Sequence, residues 1–510
     1  MTPPRAAGRV LILILLLAAV LRVAALGKPL YIDEVTTLTV ASSSLADMAH
    51  TMRMLDASPA LYPLLLHAWI QVSDADVWAR LLPAIFGWLA VLVVWRVVRD
   101  AVGWKEGLAA AFVMAIAPAH VHYAQYVRSY SLFTLLVAVH VGITLHWMRT
   151  ETRPTRGEWL VLTGATAALL YTHYLSLLLF PIEALVVVLS WSRARERVLA
   201  WGAAAALGAV LFVPGVPLLL HNIEHDRVRN LDRVEPPPLR ELVPTLVAEL
   251  GVGQRALGFS DPDTRRVVLI AAATVLPALA LFGVVTQWRR RRDVVLLLAL
   301  VVILPIAIYV GTGRKLVAVR FFVPFMIAYA ALIGVGLANL RRVPAALITG
   351  VVVVMCAIPL THFFFTYQWS YDRQVVAEAI RARAVAGDTL VVVHPFEALS
   401  YRRYLDPAMP IRGLTFTPLL DQQEYVIKPA PLTLAVATER LTELVGSQQR
   451  FWIVGQSPRS FASDAAEERR VFQWLDERYV PLADLGDLTG GDPRVVLYGR
   501  RQAGGGVDRE

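Results

Sequence analysis

VLILILLLAAVLRVAALGKPLYIDE, residues 10–34, decides the class of this protein. An apolar run from Val10 to Leu26 is followed, a few residues on, by two adjacent carboxylates, Asp33 and Glu34. The run is long enough to cross a bilayer as one helix. Carboxylates at the mouth of a membrane helix are costly to desolvate. They mark either a substrate or ion site or a loop that faces water. Arg5 and Arg9 precede the run, as they would in a signal peptide. The run is longer than a typical h-region and no small-residue cleavage site is clear, so a retained first helix with its N-terminus inside is expected.

The composition agrees. Of 510 residues, 56% are hydrophobic and 17% charged, against about 25% charged in soluble domains. The net charge of +9 does not point to nucleic acid, because the arginines fall between apolar segments and not on one face. They read as topology signals. The single cysteine, Cys356, sits in an apolar run, reads as a small buried hydrophobe, and excludes a disulfide within the chain.

Apolar runs of about 17–22 residues recur down to Phe363. They start near residues 9, 78, 106, 129, 157, 175, 198, 266, 294, 320 and 344, which predicts about eleven membrane helices. Alternate loops hold Arg96, Arg99 and Lys105; Arg149, Arg153 and Arg156; Arg193, Arg195 and Arg197; Arg289 to Arg292; and Arg341 with Arg342. By the bias of basic residues these loops are cytoplasmic. The other loops, with Asp33, Tyr123 to Arg128, Tyr171 to Tyr174, Arg314 to Arg320 and the long segment 221–265, then face outward. The expected layout is a membrane domain over 1–365 with outer loops at 28–77 and 221–265. Within the first loop, Leu45 to Met54 and Pro59 to Val72 read as interfacial helices. The loop 221–265, with Pro236 to Pro238, fits either a lid or a plain connection.

After Phe363 the pattern changes. Asp388 to His394, Phe451 to Gly455 and Arg494 to Tyr498 read as strands and Ala465 to Tyr479 as a helix. A small soluble α/β domain is expected over 366–503, outside the membrane, with a disordered tail over 504–510.

The outer ends of the spans carry the polar residues that need a reason: Asp33, Glu34, His120, His122, Tyr123, Gln125, Arg128, Tyr130, Tyr171, His173, Tyr174, Arg314, Lys315 and Arg320. Carboxylates serve as general bases or metal ligands, and cations hold phosphates. Each also has a plainer reading. The acids fit solvated loop charges, Arg128 and Arg320 fit snorkelling helix ends, and His173 between two tyrosines fits an aromatic belt. His67 and His140 read as packing histidines.

Five short motifs, in order, resemble the GT-C glycosyltransferases, in particular the bacterial membrane enzymes related to dolichyl-phosphate-mannose protein mannosyltransferases and to the aminoarabinose transferase of lipid A. They are Tyr31-Ile32-Asp33-Glu34; Ser58-Pro59-Ala60-Leu61-Tyr62-Pro63-Leu64-Leu65-Leu66-His67; Tyr123-Ala124-Gln125-Tyr126-Val127-Arg128-Ser129-Tyr130-Ser131-Leu132; Tyr171-Thr172-His173-Tyr174; and Arg320-Phe321-Phe322-Val323-Pro324. Tyr126 stands where relatives often carry a glutamate, so the third motif brings no second acid. The resemblance covers roughly residues 10–340, not the C-terminal domain.

The resemblance implies a polyprenyl-phosphate sugar donor, used on the outer face of an inner (plasma) membrane, and an extracytoplasmic glycan, lipid or protein acceptor. Asp33 is then the base and Glu34 its supporting acid, with the pair able to hold a divalent cation. Arg320, Arg128 and Lys315 would bind the donor phosphate, and His173, Gln125, Tyr62 and Tyr130 would line the pocket. No nucleotide-binding loop is apparent, which fits a lipid donor. The rival readings are a lipid-linked glycan transporter or flippase, or an envelope polymerase or ligase. A transporter predicts ionisable groups near span midpoints and related halves, whereas these charges sit at span ends and the chain shows no internal repeat.

Overall fold

The computed structural model describes residues 5–501 apart from 57, 151, 190, 225–238, 254–261, 312–318, 367–372, 394, 415–432, 456–464 and 487–492. Pro236 to Pro238, Arg314, Lys315 and the 504–510 tail lie outside the described residues. The chain divides into two compact units. One comprises Met1–Gly27, Ala41–Ser44 and Ala57–Tyr367; the other comprises Lys28–Val40, Leu45–Asp56 and Gln368–Glu510.

The first unit is a helical membrane bundle. Ten of the eleven expected starts fall on helices, two of them 3-10 turns, and residue 129 immediately precedes one. Among the described residues, six helices are long and apolar enough to span: Ala6–Val23, Asp76–Ala101, Tyr130–Arg149, Pro262–Gln287, Arg320–Ala338 and Arg342–Phe365. A bent pair, Arg195–Leu211 with Val213–Glu224, makes up to seven. The segment expected from 106 is a helix of 13 residues, Trp104–Ile116, because Ala117 is extended and Pro118 starts a separate short helix, Pro118–Tyr123.

That break is matched by a buried cation. Pro118 has no N–H to offer back to the preceding turn, so carbonyls at the end of Trp104–Ile116 need another donor. Arg22, on the first helix, supplies it: its guanidinium donates to the Met114 and Ala115 carbonyls at 3.1 Å each and to Ala18 at 3.0 Å. It also donates to His120 Nδ1 at 2.6 Å, so that imidazole nitrogen is the acceptor. A cation on the carbonyl end of a helix is favoured by both hydrogen bonding and the helix dipole.

A second buried polar knot joins four helices. His140 Nδ1 lies 2.6 Å from Glu183 Oε2, both side chains wholly enclosed. Thr166 Oγ1 donates to Leu162 O, so it accepts from His140 Nε2 at 2.9 Å. Thr144 donates to Glu183 and accepts from the Trp201 indole, each at 3.0 Å. His140 is thus the packing histidine expected from sequence. His67 is similar: its Nδ1 lies 2.7 Å from the Ala41 carbonyl.

Helix Met326–Ala338 is buried along nearly its whole length. It fits because it presents small residues. A Cβ on Gly336 would collide with the Leu279 carbonyl of Pro262–Gln287, and one on Gly334 with the backbone of Ala110 in Trp104–Ile116. Close backbone approach of this kind is how small residues hold membrane helices together.

In the second unit, the region after residue 367 holds a five-stranded sheet: β1 (Leu390–Val392), β2 (Ile411–Gly413), β3 (Arg450–Val454), β4 (Tyr479–Asp484) and β5 (Val495–Arg500), ordered β2-β1-β3-β5-β4. β1 pairs parallel with β2 and β3, and β5 pairs antiparallel with β3 and β4. Alternate residues bury on opposite faces: Leu390, Val392, Trp452 and Val454 against helix Arg373–Arg381, and Val391, Phe451, Ile453 and Tyr498 against helices Leu434–Val445 and Ala465–Arg478. The three expected strands and the expected helix are present; β2 and β4 were not anticipated. The segments 28–40 and 45–56 contribute helices Ile32–Ser42 and Leu45–Leu55.

Gly336→Leu should sharply lower the unfolding temperature in detergent, since overpacking alone costs roughly 1–3 kcal/mol and here the clash is with backbone. Gly202→Leu, where a Cβ meets nothing within 4 Å, should leave it unchanged. Equal thermal shifts in the two variants would contradict this packing.

Candidate functional site

The acidic motif opens helix Ile32–Ser42, in the second unit. Tyr31 precedes the first helical residue, which makes Asp33 the second and Glu34 the third. Glu34 is fully buried and its Oε2 accepts the Tyr31 amide at 2.8 Å. This is the back-reaching half of a capping box. Asp33 is only partly buried, at a helix N-terminus that favours negative charge. The two carboxylates therefore differ in kind. Glu34 shapes the helix start, while Asp33 keeps access to its surroundings.

The cations of the first unit gather around His173. This residue ends helix Arg156–Thr172, outside the spanning helices, and its Nδ1 accepts the Leu175 amide at 3.2 Å. Phe133 stacks on the imidazole with 5.1 Å between centroids, and Phe321 meets it edge-on at 5.3 Å. The residue is half-buried, with these two rings against its imidazole. Loss of solvation, then the positive charges of Arg128 and Arg320, lowers its pKa to about 3. The neutral ring accepts at Nδ1, so Nε2 carries the proton.

Arg320 lies in the 3-10 turn Val319–Phe325, its guanidinium 5.4 Å from the Phe321 ring centroid. Arg128 sits in the turn before helix Tyr130–Arg149 and donates to the Ser58 hydroxyl at 3.2 Å. Tyr130 is buried, with ring contacts to Tyr123 at 5.0 Å, Tyr126 at 6.2 Å and Phe321 at 6.3 Å. The arrangement is two guanidiniums and a neutral imidazole within an aromatic wall. It can bind an anion and shield it from water.

Of the sequence-selected residues, Arg128, His173, Arg320 and Tyr130 come together. Tyr62 is buried on helix Leu61–Ile70. Gln125 is a brace: its amide accepts from Ala25 N at 3.0 Å and donates to the Leu21 carbonyl at 2.9 Å, tying its turn to the first helix. Lys315 lies outside the described residues. Phe133 was missed, and Phe321 was quoted in the fifth motif without a site role. Phe321 follows Arg320 directly and Phe133 stands one helical turn after Tyr130, so spacing from the polar residues would have found both. Among the described residues, no group of three or more His, Cys, Asp and Glu side chains is arranged to hold a metal ion.

Neither a family model nor a curated protein matches the sequence. Solved structures do match the fold. ArnT from Cupriavidus metallidurans bound to undecaprenyl phosphate aligns with a TM-score of 0.62 at 14% identity, over 96% of this chain and 97% of that one. The Archaeoglobus fulgidus oligosaccharyltransferase AglB, in complex with an inhibitory peptide and a dolichol-phosphate, aligns at 0.55 and 11%, over 88% of this chain and 69% of that one. The arabinofuranosyltransferase AftD from Mycobacteria aligns at 0.51 and 12%, over all of this chain but 40% of that one. Its structural neighbours are thus glycosyltransferases, and the chain has the GT-C fold of a membrane protein.

Proposed function

We propose that this protein is a membrane glycosyltransferase that moves a sugar from a polyprenyl-phosphate donor to an acceptor outside the membrane, with inversion. The observation that carries the reading is the convergence of Arg128 and Arg320 on the aromatic-walled His173. A GT-C fold shared with a structure that holds undecaprenyl phosphate supports it. So does the order of the five motifs, which provide an acid as well as the cations. Eleven spans, a cytoplasmic N-terminus and an extracytoplasmic C-terminal domain belong to the same proposal, as does an inner-membrane location.

In the reaction, the acceptor hydroxyl attacks the anomeric carbon on the face opposite the phosphate. The bond from that carbon to the phosphate oxygen breaks as the new glycosidic bond forms. Asp33 takes the hydroxyl proton. Polyprenyl phosphate leaves with the electron pair, and its growing charge is met by Arg320, Arg128 and the Nε2–H of His173, with Lys315 a further candidate. A neutral imidazole is useful here: it donates a hydrogen bond without competing with the arginines for water. Phosphate is a good enough leaving group to need no acid, so one base suffices. Glu34 fixes the helix that carries the base, Gln125 braces the turn that carries Arg128, and Tyr62 and Tyr130 wall the pocket.

One observation favours a transporter. His140 is a titratable residue in the middle of helix Tyr130–Arg149, paired with Glu183. The pair is fully enclosed and tied to Thr144 and Thr166, which suits a structural knot better than a moving ion path.

Asp33→Asn should lower kcat about 100- to 10,000-fold, the usual contribution of a general base, in a protein that still folds and inserts. Full activity with the true donor would remove the assignment. Arg320→Ala should raise the donor KM about tenfold or more, as loss of a charged hydrogen bond does, with acceptor KM unchanged; equal effects on both would count against a phosphate role. Stability offers a separate check. The folded protein withholds a proton from His173 down to about pH 3, whereas the unfolded chain takes it up near 6.5. Acidification through that window therefore favours unfolding. Thermal unfolding of His173→Asn should depend less on pH there, and an unchanged pH dependence would contradict the neutral imidazole.

A further inference from the structure

We infer that Arg373, in the C-terminal region, is a positioning residue for the acidic motif, holding in place the peptide unit from which the Asp33 helix starts. The inference rests on the proposed role of Asp33. Arg373 opens helix Arg373–Arg381 and is only 4% exposed. Its Nε and Nη2 form a two-pronged pair with Glu397, Nη2 donating to Oε1 at 2.8 Å. Its remaining terminal nitrogen, Nη1, donates to the carbonyl of Leu30 at 3.4 Å, across 343 residues of chain.

The Leu30 carbonyl and the Tyr31 N–H belong to one peptide group, which is planar and rigid. Arg373 holds its oxygen, and Glu34 holds its N–H at 2.8 Å. A plane fixed at both ends sets the direction in which helix Ile32–Ser42 leaves it. Asp33 is two residues on, and its own carbonyl accepts from Thr37 within the helix. The direction of the Asp33 side chain thus follows from that plane. Arg373 and Glu397 are both buried, so removing either weakens the hold on the other's charge. The fork geometry belongs to arginine; a lysine keeps the charge but cannot hold both Glu397 and Leu30 from a planar fork. A plain staple within this unit would need only the Arg373–Glu397 pair. The third hydrogen bond, to the peptide that starts the acidic helix, is what gives the pair a task in catalysis.

The test compares full-length Arg373→Lys and Glu397→Gln with the wild type and with Asp33→Asn, using a polyprenyl-phosphate sugar. The expected result is a kcat about 10- to 100-fold lower per folded molecule, the usual cost of a reacting group displaced by about 1 Å. Donor KM should stay unchanged, because Arg128 and Arg320 are untouched. An added Arg373→Ala variant should lose more than Arg373→Lys, which keeps the charge. Hydrogen exchange at residues 28–36 should speed up in both variants, a readout that does not need turnover and serves where a variant is poorly stable. Wild-type kcat together with an inactive Asp33→Asn overturns the positioning role and leaves the glycosyltransferase reading intact. Unchanged exchange at residues 28–36 overturns it as well. An active Asp33→Asn removes the glycosyltransferase base, and the inference with it.

Discussion

Polar groups placed in apolar surroundings must find partners inside the protein, and this requirement organises both units. Where Pro118 interrupts a helix, the freed carbonyls of Met114 and Ala115 are taken up by Arg22 from a different helix. Where His140 and Glu183 are enclosed, Thr166 bonds to His140, and Thr144, itself held by Trp201, donates to Glu183. Where the chain enters the acidic helix, Glu34 and Arg373 occupy the two ends of one peptide group. Each unpaired group of this kind would cost several kcal/mol in a hydrocarbon setting. The breaks in the helices and the charges in the interior are therefore two sides of one arrangement.

Much of this was legible in the sequence, and the remainder was hidden for identifiable reasons. Long apolar runs locate helices because a spanning segment must hide its own backbone polarity. Their boundaries were less legible: a proline such as Pro118 ends a helix without changing hydropathy, so a run that reads as one span is a short helix and a separate turn. In the region after residue 367, Leu390–Val392 and Arg450–Val454 showed as dense apolar runs because both faces of the sheet are covered. Tyr479–Asp484 carries more exposed residues at the sheet edge and gave no such signal.

The candidate site divides along similar lines. Arg128, His173 and Arg320 stood out because charge at the end of an apolar run is costly and unusual. Asp33 and Glu34 stood out together, but adjacent residues in a sequence do not reveal which is spent on a helix cap. The hydrogen bond from Tyr31 to Glu34 separates them. Arg373 gave no signal at all, since one arginine among many in a charged region has no periodicity to betray it; only the fold brings it to Leu30.

The central claim is that a sugar moves from a polyprenyl phosphate to an envelope acceptor. Mass spectrometry of envelope lipids, glycans and glycoproteins, from cells with and without the protein, tests it most directly. The account predicts that loss of the protein removes one fixed sugar mass from one class of acceptor while the matching polyprenyl-phosphate sugar accumulates. Acceptors and lipid-linked sugars that are identical in the two samples would contradict it.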